Sequence, residues 1–554
     1  MEHRADIEGL RAVAVLLVVL FHARLGVTGG FVGVDVFFAL SGYLITTLLV
    51  REHERSGRID LLRFYGRRVR RLLPASFAVV VTVLAVGSRV LAPDEQRDLA
   101  RTAQSVALYA SNLRFAWEAG DYFGDLESNA LLHTWSLGVE EQFYVLWPLA
   151  LVLALRVRQT VPFVQATVLL GLPAAAWAVG TNASWAFFLS PLRAWELALG
   201  ALGALWAPTR LAWMRGTAWS VAGALAVVLP GFLYTGDTPF PGVAALPATL
   251  GTTVLLVAGA GSVGPVQQAL SIGPLRLLGR LSYAWYLWHW PVLVLLPVWL
   301  LREPTSIEVL AGLGLSLLLA WASFHVVEQP LRGHARLQPT GASLALGALL
   351  TAAGVGLSFV ALDHADTLSA TPELRELVKA RATKPRLYRQ GCNADHEDIT
   401  FDARRCTTGE PDAPRVVLFG DSHAAQWAPP LRKLAERGEI RLTTLTKSSC
   451  RPIGEARRLA VIGREYTECA VWFENVLEAL PGLRPAVVLV GGRVLGPTEE
   501  AWRAGLSRVV ETSRAAGAQT VFLEGVPVLP GDVSPCLARS VVRGLDPADC
   551  HFVP

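Results

Sequence analysis

The stretch Leu10-Arg-Ala-Val-Ala-Val-Leu-Leu-Val-Val-Leu-Phe-His22 places two basic side chains in an otherwise apolar run near the N-terminus. Eleven residues separate Arg11 from His22, which on a helix leaves an angular offset of about 20° and a rise of about 16 Å. Both side chains therefore lie on one face of one helix. Ionisable groups are costly in a lipid-spanning helix, so they are candidates for function. The alternative is a histidine that packs against a neighbouring helix.

The composition of the whole chain agrees with a membrane protein. Of its 554 residues, 52% are hydrophobic and 17% are charged, whereas soluble domains carry about 25% charged residues. This excludes a protein built wholly of soluble domains, and also a disordered or fibrous one. Lys and Arg number 50 against 46 Asp and Glu, which excludes a strongly basic nucleic-acid-binding protein.

Apolar runs of the length that crosses a bilayer occur eleven times. Given an N-terminus in the cytoplasm, the inside loops and their flanks hold sixteen Arg and the outside loops hold four, which is a positive-inside pattern. An odd number of spans places everything after residue 362 outside a plasma or inner membrane. The predicted spans are residues 10–27, 31–50, 73–92, 142–157, 161–180, 190–206, 217–234, 243–261, 283–301, 307–327 and 341–362.

All six cysteines lie after residue 391. An even number confined to one polar region indicates disulfides in an oxidising compartment. Short separations favour the neighbour pairs 392–406, 450–469 and 536–550, but the sequence alone does not fix the connectivity, and free thiols in a cytosolic domain are the alternative.

Further polar candidates accompany the spans. Asp35 lies near the outer end of the second span, and an arginine-rich loop follows that span at the inner surface. Guanidinium groups there can grip phosphates bidentately, although they can also serve as an anchor on anionic lipid. The candidates in that loop are Arg67, Arg68, Arg70 and Arg71, and Glu140 and Glu141 lie at the membrane edge just before the fourth span. His289 lies in an aromatic stretch, for which an interfacial belt is the alternative. Glu328 is a further candidate, and Arg332 is its expected ion-pair partner.

Six motifs in order resemble the membrane acyltransferase-3 family over residues 1–335. The resemblance implies transfer of an acyl group from cytosolic acyl-CoA to an extracytoplasmic acceptor, with His22 as a catalytic residue, Arg11 and the Arg67–Arg71 cluster on the donor side, and Glu140 as a further catalytic candidate. The motifs are Leu10-Arg-Ala-Val-Ala with the later Phe21-His22, Val34-Asp-Val-Phe-Phe-Ala-Leu-Ser-Gly-Tyr43, Arg67-Arg-Val-Arg-Arg-Leu-Leu-Pro74, Trp135-Ser-Leu-Gly-Val-Glu-Glu-Gln-Phe-Tyr144, Leu287-Trp-His-Trp-Pro291 and Glu328-Gln-Pro-Leu-Arg332.

From residue 414, short apolar runs alternate with amphipathic stretches. This pattern predicts an α/β domain with a parallel sheet. Its segment Val416-Val-Leu-Phe-Gly-Asp-Ser-His-Ala424 predicts a strand, a tight turn and a helix start that exposes Ser422. This segment looks like the first block of the SGNH hydrolase family, which implies an acyl-serine at Ser422 beside Asp421. An ordinary capped helix is the alternative.

Two departures from the SGNH pattern affect that resemblance. The third strand ends Val490-Gly-Gly-Arg493 without the Asn that supplies the oxyanion contact, and the chain ends Asp549-Cys-His551 where an Asp-x-x-His block is expected. We therefore expect an incomplete sheet and a missing catalytic base, for which His551 is a poor substitute.

The sequence thus predicts a polytopic α-helical membrane bundle followed by an extracytoplasmic SGNH-like α/β domain. The function expected is an O-acyltransferase, of the O-acetyltransferase type, acting on an exported glycan or glycolipid, with acetyl-CoA or another acyl-CoA as donor substrate, no bound cofactor and no metal. A transporter or flippase without chemistry, and a membrane-anchored carbohydrate esterase, are the alternatives. The predicted divisions are 1–335 for the membrane acyltransferase domain, 336–365 for the eleventh span, 366–413 for a linker and disulfide-stapled lead-in, and 414–554 for the SGNH-like domain.

A reporter fusion tests the predicted orientation. An enzyme that works only outside the cytoplasm, fused after residue 365, should be active, because the arginine asymmetry and the odd span count place that residue outside. The same reporter fused after residue 337 should be inactive. Activity of a cytoplasmic reporter at residue 365 would contradict the orientation.

Overall fold

The computed structural model describes residues 4–118, 128–207, 210–260, 264–382, 386–459, 462, 464–493, 498–524 and 533–550. It divides into two compact units. A helical unit contains Met1–Arg375 and Pro535–Cys550, and a sheet unit contains Glu376–Ser534 and His551–Pro554.

A helix occupies each of the eleven predicted spans. Among the described residues, six helical segments are long and apolar enough to cross a membrane (Gly30–Ser56, Leu61–Val90, Leu132–Arg156, Thr160–Thr181, Ser306–Gly333 and Thr340–Ser369), so the count of eleven spans stays a prediction. The α-helices up to residue 369 are α1 (Ala5–His22), α2 (Gly33–Ser56), α3 (Leu61–Val90), α4 (Pro93–Ala107), α5 (Ser111–Glu118), α6 (Trp135–Arg156), α7 (Thr160–Thr181), α8 (Ala183–Phe188), α9 (Ser190–Trp206), α10 (Thr217–Leu233), α11 (Leu246–Ala258), α12 (Pro265–Leu270), α13 (Gly273–Leu300), α14 (Ser306–Ser323), α15 (Gln329–Gly333) and α16 (Thr340–Ser369).

Several predicted loops are helical instead. The arginine-rich segment predicted as a loop belongs to α3, because Gly57 ends α2 with φ +69° and the Asp60 side chain then caps α3 by accepting from the Arg63 amide. Glu140 and Glu141 lie inside α6 rather than before it, because that helix begins at Trp135. The predicted linker contains the end of α16 together with α17 (Pro372–Ala382) and α18 (Arg386–Arg389).

Two glycines let α2 and α9 approach closely. A Cβ atom at Gly42 would lie 1.7 Å from the Leu197 carbonyl oxygen, and one at Gly200 would lie 2.0 Å from that of Ala39. Small residues at such a crossing are the usual means by which helices in membranes pack backbone against backbone. The sequence pattern Ser41-Gly42 predicts this approach, and the structure identifies α9 as the helix on the other side.

The sheet unit is built on a mainly parallel sheet of order β1-β4-β3-β7-β8, with the short β2 antiparallel beside β4. The predicted alternation of strands and helices after residue 414 is present, with strands at the apolar runs 416–419, 442–445, 487–490 and 521–523. The strands are β1 (Asn393–Ala394), β2 (Thr407–Thr408), β3 (Arg415–Gly420), β4 (Arg441–Lys447), the separate hairpin β5 (Arg458–Leu459) and β6 (Arg464–Glu465), β7 (Val487–Gly491) and β8 (Gln519–Leu523), and the helices are α19 (Ser422–Ala425), α20 (Ala428–Glu436), α21 (Thr467–Leu483) and α22 (Glu499–Ala515).

The last described helix, α23 (Val533–Arg543), belongs to the helical unit from Pro535 onward. Arg539 makes two hydrogen bonds to the Glu95 carboxylate, at 2.9 and 2.5 Å, and Arg543 donates to the carbonyl oxygens of Val298 and Trp299. These contacts attach α23 to the start of α4 and the end of α13.

Three disulfides join Cys392 to Cys406, Cys450 to Cys469 and Cys536 to Cys550. The neighbour pairing favoured by the cysteine spacing is therefore confirmed. His551, the residue weighed as a substitute base, lies outside the described residues.

Replacing Gly42 by Val should disrupt the crossing of α2 and α9. The added side chain meets a backbone carbonyl that cannot rotate away, and overpacking of this kind costs about 1–3 kcal/mol or more. We expect lower accumulation in membranes and a lower melting temperature in detergent. Gly314→Val is the matched control, because a Cβ at Gly314 meets nothing within 4 Å. Equal melting temperatures for the two variants would contradict the close approach.

Candidate active site

Two histidines meet inside the helical unit. Nδ1 of the half-buried His22, at the end of α1, lies 2.9 Å from Nε2 of His289, which is fully buried in α13. The indole of Trp290 meets the His22 ring edge to face, with centroids 4.6 Å apart. The predicted His22 and His289 are thus brought into one site.

A third histidine was missed as a candidate. The ring of His133, buried just before α6, meets the His289 ring at a centroid distance of 5.8 Å, and its backbone oxygen accepts from the Tyr286 hydroxyl. It was missed because residue 133 lies before the predicted fourth span, whereas in the structure the helical segment already begins at Leu132.

A mixed-charge cluster surrounds Arg11, which is half-buried on α1. Arg11 interacts electrostatically with Arg71 on α3, Glu140 on α6 and Glu328, which lies in a π-helical turn between α14 and α15. Charged side chains from α1, α3, α6 and the π-helical turn thus lie in one interior region. Glu328 is buried, whereas Arg11, Arg71 and Glu140 are only partly buried. A polar ligand can therefore reach these three side chains.

Glu140 is fixed by neutral donors as well as by charge. Its Oε1 accepts from the hydroxyls of Ser41 and Tyr144, the second at 2.9 Å. The guanidinium of Arg68 lies over the Tyr144 ring, 4.6 Å from its centroid, and interacts electrostatically with Glu141. Ser41, from the Ser-Gly motif, therefore has a polar role in addition to the close packing predicted for it.

The four arginines on α3 lie on different sides of the helix and contact different parts of the fold. Arg68 and Arg71 face the mixed-charge cluster, whereas Arg70 donates to the Leu337 carbonyl and the Ser343 hydroxyl. Arg67 forms an ion pair with Glu52 at 3.5 Å. Two of the five predicted donor-side arginines therefore have partners elsewhere in the fold. The prediction of a loop had concealed this division.

Asp35 lies in a separate, fully buried ion cluster. Arg193 on α9 contacts Asp35 at 2.9 Å and Glu196 at 3.3 Å, and all three side chains are 0% exposed. The Arg193 guanidinium also lies near the rings of Phe38, Trp135, Phe187 and Phe240. Arg193 and Glu196 were missed, although charged residues in the predicted span 190–206 carry the same signal as Arg11.

In the sheet unit, β3 ends in a turn that exposes Ser422. Gly420 has φ +145°, and a Cβ there would lie 1.8 Å from the Gly491 carbonyl oxygen, so only glycine fits. Asp421 accepts from the amides of His423 at 2.8 Å and Arg493 at 2.9 Å. Asp421 therefore joins this turn to the end of β7, and no imidazole of the described residues hydrogen-bonds Ser422.

Lys447, at the end of β4, is a further polar residue at this edge of the sheet. Its Nζ donates to the carbonyl oxygens of Asp395, His396 and Asp398 at 2.5, 3.1 and 2.5 Å. Burial lowers the pKa of Lys447 to about 8. The buried amine organises the 395–398 segment, and its place at a strand end gave no signal in the sequence.

The comparisons with known proteins agree with both units. The chain belongs to the acyltransferase-3 family, whose model, described as an acyltransferase domain, matches residues 4–325. A model described as an SGNH domain fused to such acyltransferase domains matches residues 391–553. No solved structure matches the chain.

Two relatives carry a more specific name. The chain is 31% identical over 352 residues to the peptidoglycan O-acetyltransferase OatA of Listeria monocytogenes, covering 59% of this chain and 55% of that protein. It is 31% identical over 346 residues to the O-acetyltransferase OatA of Staphylococcus aureus, covering 59% of this chain and 57% of that protein. The chain thus matches just over half the length of these relatives.

Removing the Ser422 hydroxyl should change ester hydrolysis very little. A serine without a neighbouring base is a weak nucleophile, and loss of a general base costs a factor of about 10² to 10⁴. The detergent-solubilised chain and its Ser422→Ala variant should hydrolyse a small acetyl ester at similarly low rates. Fast hydrolysis that disappears in Ser422→Ala would show that a base does act on Ser422.

Proposed function

We propose that the protein is an integral membrane O-acetyltransferase that moves an acetyl group from cytosolic acetyl-CoA to an exported glycan. The observation that carries the proposal is the placement on α1 of a half-buried Arg11 within a charged cluster and of His22 in a histidine pair. Membership of the acyltransferase-3 family supports acyl transfer as the reaction.

The proposed site for acetyl-CoA is formed by arginine side chains. Arg11, Arg68 and Arg71 meet in one interior region, where guanidinium groups suit the phosphates of CoA. His22 lies about 16 Å further along the same helix. The extended pantetheine arm of CoA would cover that distance and bring the thioester carbonyl to the imidazole. Glu140 is proposed to hold the cluster together and to balance its charge.

The imidazole chemistry is a transfer in two steps. Nε2 of His22 attacks the thioester carbonyl carbon, the new C–N bond replaces the C–S bond, and CoA leaves as the thiolate. A hydroxyl of the acceptor then attacks the acetyl-imidazolium, the C–N bond breaks and neutral His22 is regenerated. The hydroxyl proton is released to water and balances the charge of the CoA thiolate. The acceptor is a glycan hydroxyl, and the names of the relatives support peptidoglycan as that glycan.

The same proposal assigns sides of the membrane. The N-terminus and the CoA site face the cytoplasm, and the two disulfides of the sheet unit, Cys392–Cys406 and Cys450–Cys469, support an extracytoplasmic location for that unit. Ser422 is proposed as a later acyl carrier on that side. Because no imidazole of the described residues bonds to it, its use depends on a base from elsewhere.

Replacing His22 by Ala should abolish acetyl transfer while the protein still accumulates in membranes. The reason is the loss of the nitrogen that takes the acetyl group. Membranes that hold each variant are incubated with radiolabelled acetyl-CoA, and the label in the glycan fraction is counted. His325→Ala is the control, because the exposed His325 side chain contacts the rings of Trp321 and Phe324. Normal labelling by a well-expressed His22→Ala protein would show that the imidazole is structural.

A further inference from the structure

The ring nitrogens of His289 have fixed roles. Its Nδ1 lies 2.8 Å from the Tyr286 carbonyl oxygen and 3.1 Å from that of Trp285. Carbonyl oxygens only accept hydrogen bonds, so Nδ1 of His289 carries the proton. Because this imidazole is fully buried and meets no carboxylate among the described residues, it is neutral. Its Nε2 is therefore an acceptor.

The two imidazoles are aligned for one strong hydrogen bond. The ring planes of His22 and His289 differ by 11°, and their centroids are 5.2 Å apart, while the facing nitrogens are 2.9 Å apart. The nitrogens therefore point at each other in the plane of the rings, and the rings do not stack face to face. An acceptor at His289 Nε2 requires a proton on Nδ1 of His22.

We infer that His289 is a positioning residue that fixes His22 in the tautomer with Nδ1 protonated, which leaves the Nε2 lone pair free for acyl transfer. The peptide carbonyls of Trp285 and Tyr286 orient His289, and His289 orients His22. A backbone-anchored imidazole thus does what a carboxylate does for the base in a catalytic triad. The inference rests on the proposed function of His22.

The test uses the full chain in proteoliposomes with radiolabelled acetyl-CoA and a glycan acceptor. His289→Leu removes the acceptor and should lower kcat severalfold, because only the fraction of His22 that keeps its proton on Nδ1 has a free Nε2 lone pair. The KM for acetyl-CoA should stay unchanged, because the arginine cluster is untouched. His289→Gln, whose amide oxygen can accept from Nδ1 of His22, should recover most of the kcat, and His325→Leu should behave as the wild type.

A second measurement does not depend on activity. In the chain labelled with ¹⁵N-histidine, the His22 signals are assigned by comparison with His22→Ala. Solid-state NMR should show His22 protonated at Nδ1 in the wild type and in His289→Gln, and a mixture of tautomers in His289→Leu. A merely structural His289 would leave this ratio unchanged.

The outcomes separate the inference from the proposed function. An unchanged kcat in His289→Leu, or a proton on Nε2 of His22 in the wild type, would overturn the inference even if His22→Ala is inactive. Normal transfer by His22→Ala would overturn the proposed function, while the tautomer measurement would still decide how the two rings are bonded.

Discussion

In the helical unit, a buried charge is stable only when other groups compensate it, because an unpaired charge in an apolar interior costs several kcal/mol. Arg193 is fully buried and is held by Asp35, Glu196 and a surround of aromatic rings. Breaking one partner of such a cluster leaves an uncompensated buried charge, which costs about 3–5 kcal/mol. These contacts need α2 and α9 in close contact, and Gly42 and Gly200 provide that approach. In this part of the bundle, the charges can therefore be paired only if the two helices pack closely.

The same cost explains how the two polar regions on α1 differ. Around Arg11 the charged groups come from α3, α6 and the π-helical turn, and all but Glu328 are half-buried. At His22 the partners are neutral, namely an imidazole and an indole. Clustered charge suits a phosphate-bearing ligand, whereas a region of neutral rings suits acyl chemistry. One helix face thus carries two environments of different polarity.

Much of the architecture could be predicted because it depends on features of short stretches of sequence. These are the periodicity of apolar residues and the free-energy cost of placing ionisable residues in a membrane span. The helices at the eleven apolar runs and the four main strands follow from the residues themselves, and the cysteine spacing favoured the disulfide pairs without fixing them. The side chains that meet across helices could not be predicted in the same way. Nothing in the order of Arg67–Arg71 indicates that Arg70 binds the 337–343 region while Arg68 turns towards Tyr144. Lys447 was missed because its three acceptors are backbone carbonyls of a distant loop.

The disulfides have a consequence for the order of assembly. Their partners are only 14, 19 and 14 residues apart, so each bond can close as soon as a short length of chain has emerged into an oxidising compartment. Closing a loop of about 15 residues removes roughly 3 kcal/mol of chain entropy from the unfolded ensemble. Oxidation can therefore proceed bond by bond from the N-terminal side, and correct pairing does not wait for the parallel sheet to form.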